Sequence, residues 1–346
     1  TSGSSPAATA AATAPARAAV ALDDREGGTF VRRNAILLLS ETTDSSEFAP
    51  GNKGGGPADN ALWFFGPEGT AITVRHAECL LAHLPLFLTG WPLKRVAVAA
   101  DEIADIDVLQ QDDDSILIVR RGPGADEQRF DDEFNAANGL AGALVAAYVA
   151  RQAHMVCFHA SSAQVGLGLV VLLGETLAGK SSVALHLAAS GYRLFGDDRL
   201  AVSLSEQTAP AAECLGLTPK VRLPLPEDCG ERFAEYIESF TEIRDDSAAY
   251  LKLWEGEAAV FPERAPISAL VILERTEAGP SLLSPASRPE IAKALLSSCY
   301  SPHMEAVSLV PAITRLATSA AGHRLTFSSS REAAAVLATA LREKKS

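Results

Sequence analysis

Apolar and polar positions alternate in two different ways along this chain. In the first half, short apolar runs are separated by turn-forming residues, which predicts β-strands. Four such runs lie at residues 61–65, 71–74, 96–99 and 116–119. The last two flank acidic turn residues such as 111–115, a pattern typical of a β-hairpin, and residues 76–87 have room for a short helix. We therefore predict a small β-rich subdomain that packs on the rest of the chain.

From residue 134 onward, apolar residues recur at helical spacing or form short continuous runs. The helical spacing predicts helices over residues 134–152, 182–190, 231–240, 289–298, 306–320 and 331–344. The continuous runs predict strands over residues 155–159, 169–173, 199–204, 250–254 and 267–273, with an extended segment at 220–226. A turn at 165–168 predicts a hairpin that leads into the strand at 169–173. Helices that alternate with strands in this way predict an α/β fold with α+β elements.

Composition divides the chain into three predicted parts. Residues 1–28 are rich in small residues, which bury too little surface to offset the entropy of ordering, so we expect a disordered leader. Residues 29–133 hold a first predicted strand at 35–39, a Gly-, Ser- and Asp-rich stretch at 42–60 that we expect to be a mobile loop, and the β-rich subdomain. Residues 134–346 form a second domain with a helical C-terminus.

The charge balance limits the classes of partner. The net charge of −13 argues against a nucleic-acid-binding surface, because contacts to phosphates need clustered Lys and Arg. No apolar run approaches the roughly 20 residues that a membrane span requires. The five cysteines are odd in number and contain no C-x-x-C pair, which favours reduced thiols over a disulfide framework or a zinc site. We therefore expect a cytoplasmic protein with no nucleic-acid or membrane partner.

A phosphate-loop pattern, G-x-x-x-x-G-K-S, lies between the apolar run 169–173 and the helix predicted at 182–190. In that context the glycines let backbone N–H groups converge on nucleotide phosphates at a helix N-terminus. Lys180 would reach the outer phosphates and Ser181 would bind Mg²⁺. The alternative is a strand-to-helix turn that binds nothing. The predicted nucleotide-binding residues are Gly174, Glu175, Thr176, Leu177, Ala178, Gly179, Lys180, Ser181 and Ser182.

Two adjacent carboxylates, Asp197 and Asp198, follow the predicted helix after a short apolar segment. A strand that returned beside the strand 169–173 would place them near Ser181, where a magnesium ion needs oxygen ligands and an acceptor hydroxyl needs a base. Adjacent side chains on a strand point to opposite faces, so one of the two would serve the site. The alternative for this pair is a turn or a helix N-cap.

Three further residues have two interpretations each. His159, before the phosphate loop, is either a functional residue or a hydrogen-bonded core histidine. Arg222 and Arg264 either stabilise transferred charge or form surface ion pairs.

Taken together, three segments resemble the catalytic domain of the HPr serine kinase/phosphorylase family. They are residues 158–162, the phosphate loop 174–181, and the G-x-R-L-x-x-D-D pattern within 191–199. His159 precedes Lys180 by 21 residues and Asp197 follows it by 17, in agreement with that family's spacing. ATP-dependent phosphoenolpyruvate carboxykinase has a similar core. The resemblance covers residues 155–202 and, more loosely, 219–273; the family's glycine-rich signature segment and amino-terminal domain are missing, as in divergent HPr-kinase-like relatives.

This resemblance implies a P-loop kinase core with ATP and Mg²⁺ as cofactors. It implies that Asp197 is the acid/base at the acceptor, that His159 lies near the transferred phosphate, and that Lys180 acts with them. Ser181 and Asp198 are the predicted metal ligands. It also implies a homo-oligomer.

We therefore predict a kinase that transfers the γ-phosphate of ATP to a hydroxyl-bearing acceptor. A serine of a protein or peptide is the first expectation, and a small hydroxyl-bearing metabolite is the second. Two alternatives remain: a nucleotide-binding regulatory protein with little transfer activity, and a carboxykinase-like enzyme.

Overall fold

The computed structural model describes residues 61–99, 101–205, 209–254 and 256–341. The predictions for the leader 1–28, the strand 35–39 and the loop 42–60 lie outside the described residues, as does the end of the helix predicted over 331–344. The described residues form a mixed α/β fold with six helices and three sheets, as the pattern predicted. Among them, no helix has the length and apolarity that crossing a membrane requires.

The first sheet has six strands, in the spatial order β3-β1-β2-β4-β5-β6. Their bounds are β1 Ala61–Phe65, β2 Ile72–Arg75, β3 Leu93–Ala97, β4 Ile106–Gln110, β5 Ile116–Arg120 and β6 Asp126–Phe130. Helix α1, Glu133–Ala150, packs on this sheet with a side rich in buried alanines and leucines. Gly139 permits this contact, because a Cβ there would lie 2.1 Å from the ring of Phe130.

One sequence prediction in this sheet, the pairing of a hairpin, is wrong. The hairpin partner of β5 is β4, not the run at 96–99, whose strand β3 pairs with β1. The turn 111–115 is closed by Gln111 N, which donates to Ser115 O at 2.8 Å, and Asp113 accepts from the N–H and the hydroxyl of Ser115. The partner strand therefore ends at Gln110, opposite Ile116. Residues 76–87, which have room for a short helix, form two 3-10 helices, Glu78–Leu80 and Leu84–Leu86, and Pro85 lacks the N–H that a continuous α-helix needs.

The second sheet contains ten of the described strands and carries the predicted phosphate loop. Their bounds are β7 Met155–Phe158, β8 Ser161–Val165, β9 Gly168–Leu173, β10 Arg193–Gly196, β11 Leu200–Ser203, β12 Ala211–Glu213, β16 Arg264–Arg275, β17 Leu282–Pro285, β18 Cys299–Tyr300 and β19 Ala321–Phe327. Strand β9 is buried throughout and lies between β8, its antiparallel hairpin partner, and β16, which runs parallel to it. The predicted hairpin into this strand is therefore present.

Helices cover this sheet, and a small third sheet lies beside it. The helices are α2 Lys180–Ala189, α3 Glu231–Phe240, α4 Arg288–Ser298, α5 Ala306–Ser319 and α6 Ser330–Leu341. The third sheet has the order β13-β15-β14, with β13 Lys220–Arg222, β14 Thr241–Arg244 and β15 Ala248–Leu251. Helix α2 packs against both α3 and α6.

A backbone contact between residues 87–91 and 215–218 fixes the start of β13. Thr89 N donates to Gly216 O at 2.8 Å, and Thr218 N donates to Phe87 O at 2.9 Å. The indole N–H of Trp91 donates to Leu215 O at 2.9 Å. Because these bonds end two residues before Lys220, they position the strand that borders the candidate site.

Gly216→Ala should destabilise the fold strongly. Gly216 has φ +72°, and a Cβ there would lie 2.2 Å from the carbonyl oxygen of Thr89. Left-handed strain and overpacking together should lower the free energy of unfolding by about 2–5 kcal/mol. The matched control is Gly122→Ala, at φ +83° with no atom within 4 Å of the added Cβ, which should cost about 1 kcal/mol. Urea denaturation of both variants tests this, and equal losses would contradict it.

Candidate active site

The loop between β9 and α2 is shaped by two glycines. Gly174 has φ +155°, and a Cβ there would lie 3.2 Å from the carbonyl oxygen of Leu273. Gly179, the N-cap of α2, has φ +91° and lies against the ring of Phe327. Among the described residues, no side chain caps the N-terminus of α2. The amides of its first turn are therefore left for a ligand, and such a terminus favours an anion.

Lys180 begins α2 and folds back over the loop. Its ammonium donates to the carbonyl oxygens of Gly174 and Glu175, each at 2.9 Å, and the residue is only 5 % exposed. Burial lowers the pKa of Lys180, while the nearby carboxylates of Asp198 and Asp197 act in the opposite direction. The loop closes on itself, since Ala178 N donates to Glu175 O at 3.2 Å.

Asp197 is a buried carboxylate whose environment holds it in one orientation. It is 3 % exposed and accepts from the Ser161 hydroxyl at 2.5 Å and from Lys220 N at 3.4 Å. Burial raises its pKa, and hydrogen bonds from Ser161 and Ser181 partly offset that increase. A buried carboxylate with a raised pKa beside a helix N-terminus is a candidate proton acceptor.

Asp198 points away from Asp197 into an exposed position. Its backbone is left-handed, with φ +64°, and its side chain is 62 % exposed. His159 Nδ1 lies 3.2 Å from Asp198 Oδ1 and 2.9 Å from its carbonyl oxygen. The hydrogen bond with His159 is the main reason why the pKa of Asp198 is lowered. His159 itself is 45 % exposed at its side chain, which excludes the core-histidine interpretation.

The strand that leads to the two aspartates does not lie beside β9, and that part of the prediction is wrong. Strand β10 pairs with β8, and β8 occupies the position next to β9. The other edge of β9 is taken by β16. Because β10 ends at Gly196, Asp197 and Asp198 lie in the bend after the strand, so strand alternation does not set their directions. Asp197 still reaches Ser181.

A cavity of 580 Å³ joins these groups. Its walls include the loop and helix residues Thr176, Leu177, Gly179, Lys180, Ser181 and Ser182, together with His159, Asp197 and Asp198. Of the other predicted nucleotide-binding residues, Gly174 and Glu175 lie behind Lys180 and bind it through their carbonyls, and Ala178 closes the loop turn.

Arg222 and Arg264, which had two interpretations each, lie in different environments. Arg222 lines the cavity. Arg264 instead donates to Glu213 at 2.6 Å, and Glu213 is a buried carboxylate that also accepts from Tyr148 at 2.6 Å. Arg264 is therefore an ion-pair residue that helps to join α1 to the second sheet.

Several polar residues of this cavity were not predicted as site residues, among them Ser161, Lys220, Arg275 and Arg331. Ser161 lay inside a quoted motif without a role, and Lys220 lay in an extended segment without a recognisable pattern. Arg275 is the last residue of β16 and Arg331 lies in the first turn of α6, and both line the cavity. The parallel pairing of β16 with β9, with Ile272 opposite Leu173, brings Arg275 to the end of the sheet that carries the loop.

No protein-family model matches this chain, and no curated protein matches it either. Among solved structures, the chain shows a weak similarity to an Hpr(Ser) kinase/phosphatase from Coxiella burnetii. The identity is 14 % and the TM-score 0.29, over 54 % of this chain and 93 % of that one. We therefore infer what this chain does from the residues of its own cavity.

Proposed function

We propose that this protein is an ATP- and Mg²⁺-dependent phosphotransferase that moves the γ-phosphate onto an acceptor hydroxyl, with a P-loop core of the HPr-kinase type. The observation that carries the proposal is the juxtaposition of the loop 174–181 with the buried carboxylate Asp197 in one cavity. Phosphoryl transfer needs little beyond this: a cradle for the phosphates, neutralisation of their charge, and a base at the acceptor. The resemblance of residues 158–162, 174–181 and 191–199 to HPr serine kinases supports the same assignment.

In this mechanism the uncapped amides of α2 and the ammonium of Lys180 bind the β- and γ-phosphates. Ser181 and Asp198 offer a hydroxyl and a carboxylate oxygen, which are the ligand types that Mg²⁺ prefers alongside substrate phosphates. When bound, Mg²⁺ neutralises charge on the phosphate oxygens. His159 orients Asp198 through its Nδ1 contact.

Asp197 takes the proton. The acceptor oxygen forms a bond to the γ-phosphorus, its hydrogen passes to the Asp197 carboxylate, and the bond between the γ-phosphorus and its bridging oxygen breaks to release ADP. The hydrogen bonds from Ser161 and Lys220 N hold the carboxylate in place without using all of its acceptor capacity. The acceptor hydroxyl is a serine of a protein or peptide, or that of a small metabolite.

The direct test is incubation of the purified protein with Mg²⁺ and γ-labelled ATP in an extract of its source cells. The extract is then separated into protein and small-molecule fractions, and ATP affinity is measured in parallel. Label in either fraction, absent when the protein is omitted, supports the proposal. Measurable ATP binding without a labelled product would contradict it and favour a regulatory nucleotide-binding protein.

The rate of phosphate transfer should fall as the pH is lowered, and the midpoint of this fall should lie above the ordinary aspartate pKa of 3.8. Only the ionised carboxylate can accept the acceptor proton, and burial raises the pKa of Asp197, so the protonated form persists to higher pH than usual. A pH profile of single-turnover transfer measures this, with circular dichroism at each pH as a control for unfolding. A rate that stays constant down to the ordinary aspartate range would argue against Asp197 as the base.

A further inference from the structure

Strand β13 presents two cations to the cavity beside Asp197. Lys220 and Arg222 are two residues apart, so they share one face of the strand, and both are exposed and line the cavity. Val221 between them faces the core at 5 % exposure. Strand geometry spaces the two positions by about 6.6 Å. Because Lys220 N also donates to Asp197, this pair is fixed relative to the proposed base.

Neither cation is neutralised by an ion pair. In the described part of the chain, the guanidinium of Arg222 makes no ion pair or side-chain hydrogen bond, and the ammonium of Lys220 lies 5.0 Å from the ring centroid of Tyr250. Asp245 is within electrostatic range of Lys220, but its Oδ1 accepts hydrogen bonds from the N–H and hydroxyl of Ser247 and from Ala248 N. Many other arginines of this acidic protein do pair with carboxylates, among them Arg120, Arg121, Arg151, Arg193, Arg264 and Arg324.

The remaining cations of the cavity lie on its nucleotide side. Arg275 ends β16, the parallel neighbour of β9, and Arg331 lies in the first turn of α6, which packs against α2. With Lys180, these two can meet the phosphates of a nucleotide. The Lys220–Arg222 pair lies instead on the side of Asp197, where the acceptor must present its hydroxyl. A second anion, separate from the nucleotide, would complement it.

We propose that Lys220 and Arg222 bind an anionic group, a carboxylate or a phosphate, of a small hydroxyl-bearing acceptor. This inference rests on the proposed phosphotransferase function and names its substrate class: small hydroxy acids or sugar phosphates. Arg222 offers a planar fork that matches either anion in a bidentate manner, and Lys220 adds a point charge. A small acceptor is favoured over a protein because Asp197, at 3 % exposure, is buried in the wall of the cavity and is not presented on an open surface.

The test is calorimetric titration of the full chain, saturated with Mg²⁺ and the imido analogue of ATP so that the γ-position is filled. Glycerate and glucose 6-phosphate are titrated beside their uncharged parents, glycerol and glucose. We expect the anionic member of at least one pair to bind and its parent not to bind. Arg222→Gln and Lys220→Gln should each weaken that binding by about tenfold or more, with analogue affinity unchanged within about twofold.

Arg244→Gln is the matched control, because Arg244 is an exposed arginine of the same small sheet that pairs with Glu238 at 2.9 Å. It should leave both affinities unchanged, and thermal denaturation checks that every variant is folded. If the analogue itself does not bind, the proposed function fails. If the analogue binds but neither anion binds better than its parent, the small-acid acceptor is wrong. If Arg222→Gln lowers the affinities for the analogue and for the anion equally, Lys220 and Arg222 bind the nucleotide, and the proposed acceptor site is wrong.

Discussion

Asp197→Asn should lower the rate of phosphate transfer by about a hundredfold to ten-thousandfold, which is the usual contribution of a positioned general base. Asparagine has the same shape but cannot accept the acceptor's proton. Its amide oxygen can still accept from the Ser161 hydroxyl, but its amide nitrogen cannot accept from Lys220 N, so circular dichroism checks that the variant is folded. Nucleotide affinity should stay within about twofold, because no phosphate contact is assigned to this side chain. Single-turnover transfer and equilibrium ATP binding measure the two effects separately.

The matched control is Asp228→Asn, an exposed carboxylate in the wall of the same cavity. It changes the cavity's charge by the same amount without touching the proposed base, so it should retain transfer within a few-fold. Comparable losses in the two variants would mean that net charge, rather than proton acceptance at Asp197, controls the rate. An unchanged transfer rate in Asp197→Asn would contradict the proposed mechanism.

The same substitution should not destabilise the fold. The folded-state pKa of Asp197 is raised by burial, so its contribution to stability is fully present below the unfolded pKa and is lost as the pH rises through the folded pKa. At neutral pH the ionised carboxylate therefore costs stability, and a neutral asparagine removes that cost. A thermal midpoint for Asp197→Asn equal to or above that of the unchanged protein is the expected signature of a group kept for function rather than for stability.

Local sequence signals predicted the parts of the site that are contiguous in the chain. A buried apolar run, two glycines and a helical pattern specify the β9–loop–α2 unit, because each of its turns needs a conformation that only certain residues adopt easily. The β8–β9 hairpin followed from its short turn in the same way. Strand β4 was missed because its sequence, Ile-Asp-Val-Leu-Gln, carries a buried charge, Asp107, that pairs with Arg121. An ion pair across a sheet leaves no mark in a local hydrophobic pattern.

The charged surroundings of the cavity could not be read from the sequence, because they depend on which strands are neighbours. Arg275 and Arg331 reach the cavity through the pairing of β16 with β9 and the packing of α6 on α2, whereas Arg222 reaches it on β13, which pairs with β15. The position of β10 was mistaken for the same reason: β8 and β16 fill both edges of β9, and such pairings are long-range. The sequence alone could not distinguish the roles of Arg222 and Arg264. The structure distinguishes them, because Arg222 lines the cavity and Arg264 pairs with Glu213.

Lys180→Met should weaken nucleotide binding by about tenfold to a hundredfold, because it removes a charge-assisted hydrogen bond to the phosphates. It should lower the transfer rate by a further factor of about a hundred to a thousand, because the ammonium no longer stabilises the transferred charge. Methionine fills a similar volume but cannot donate to the carbonyl oxygens of Gly174 and Glu175, so circular dichroism and thermal denaturation check that the variant is folded. Lys293→Met, at an exposed position of α4, is the control for removing a positive charge and should change neither quantity. Titration with a fluorescent ATP analogue and single-turnover transfer measure both effects. Undiminished nucleotide affinity in Lys180→Met would show that the loop 174–181 does not bind phosphates and is only a strand-to-helix turn.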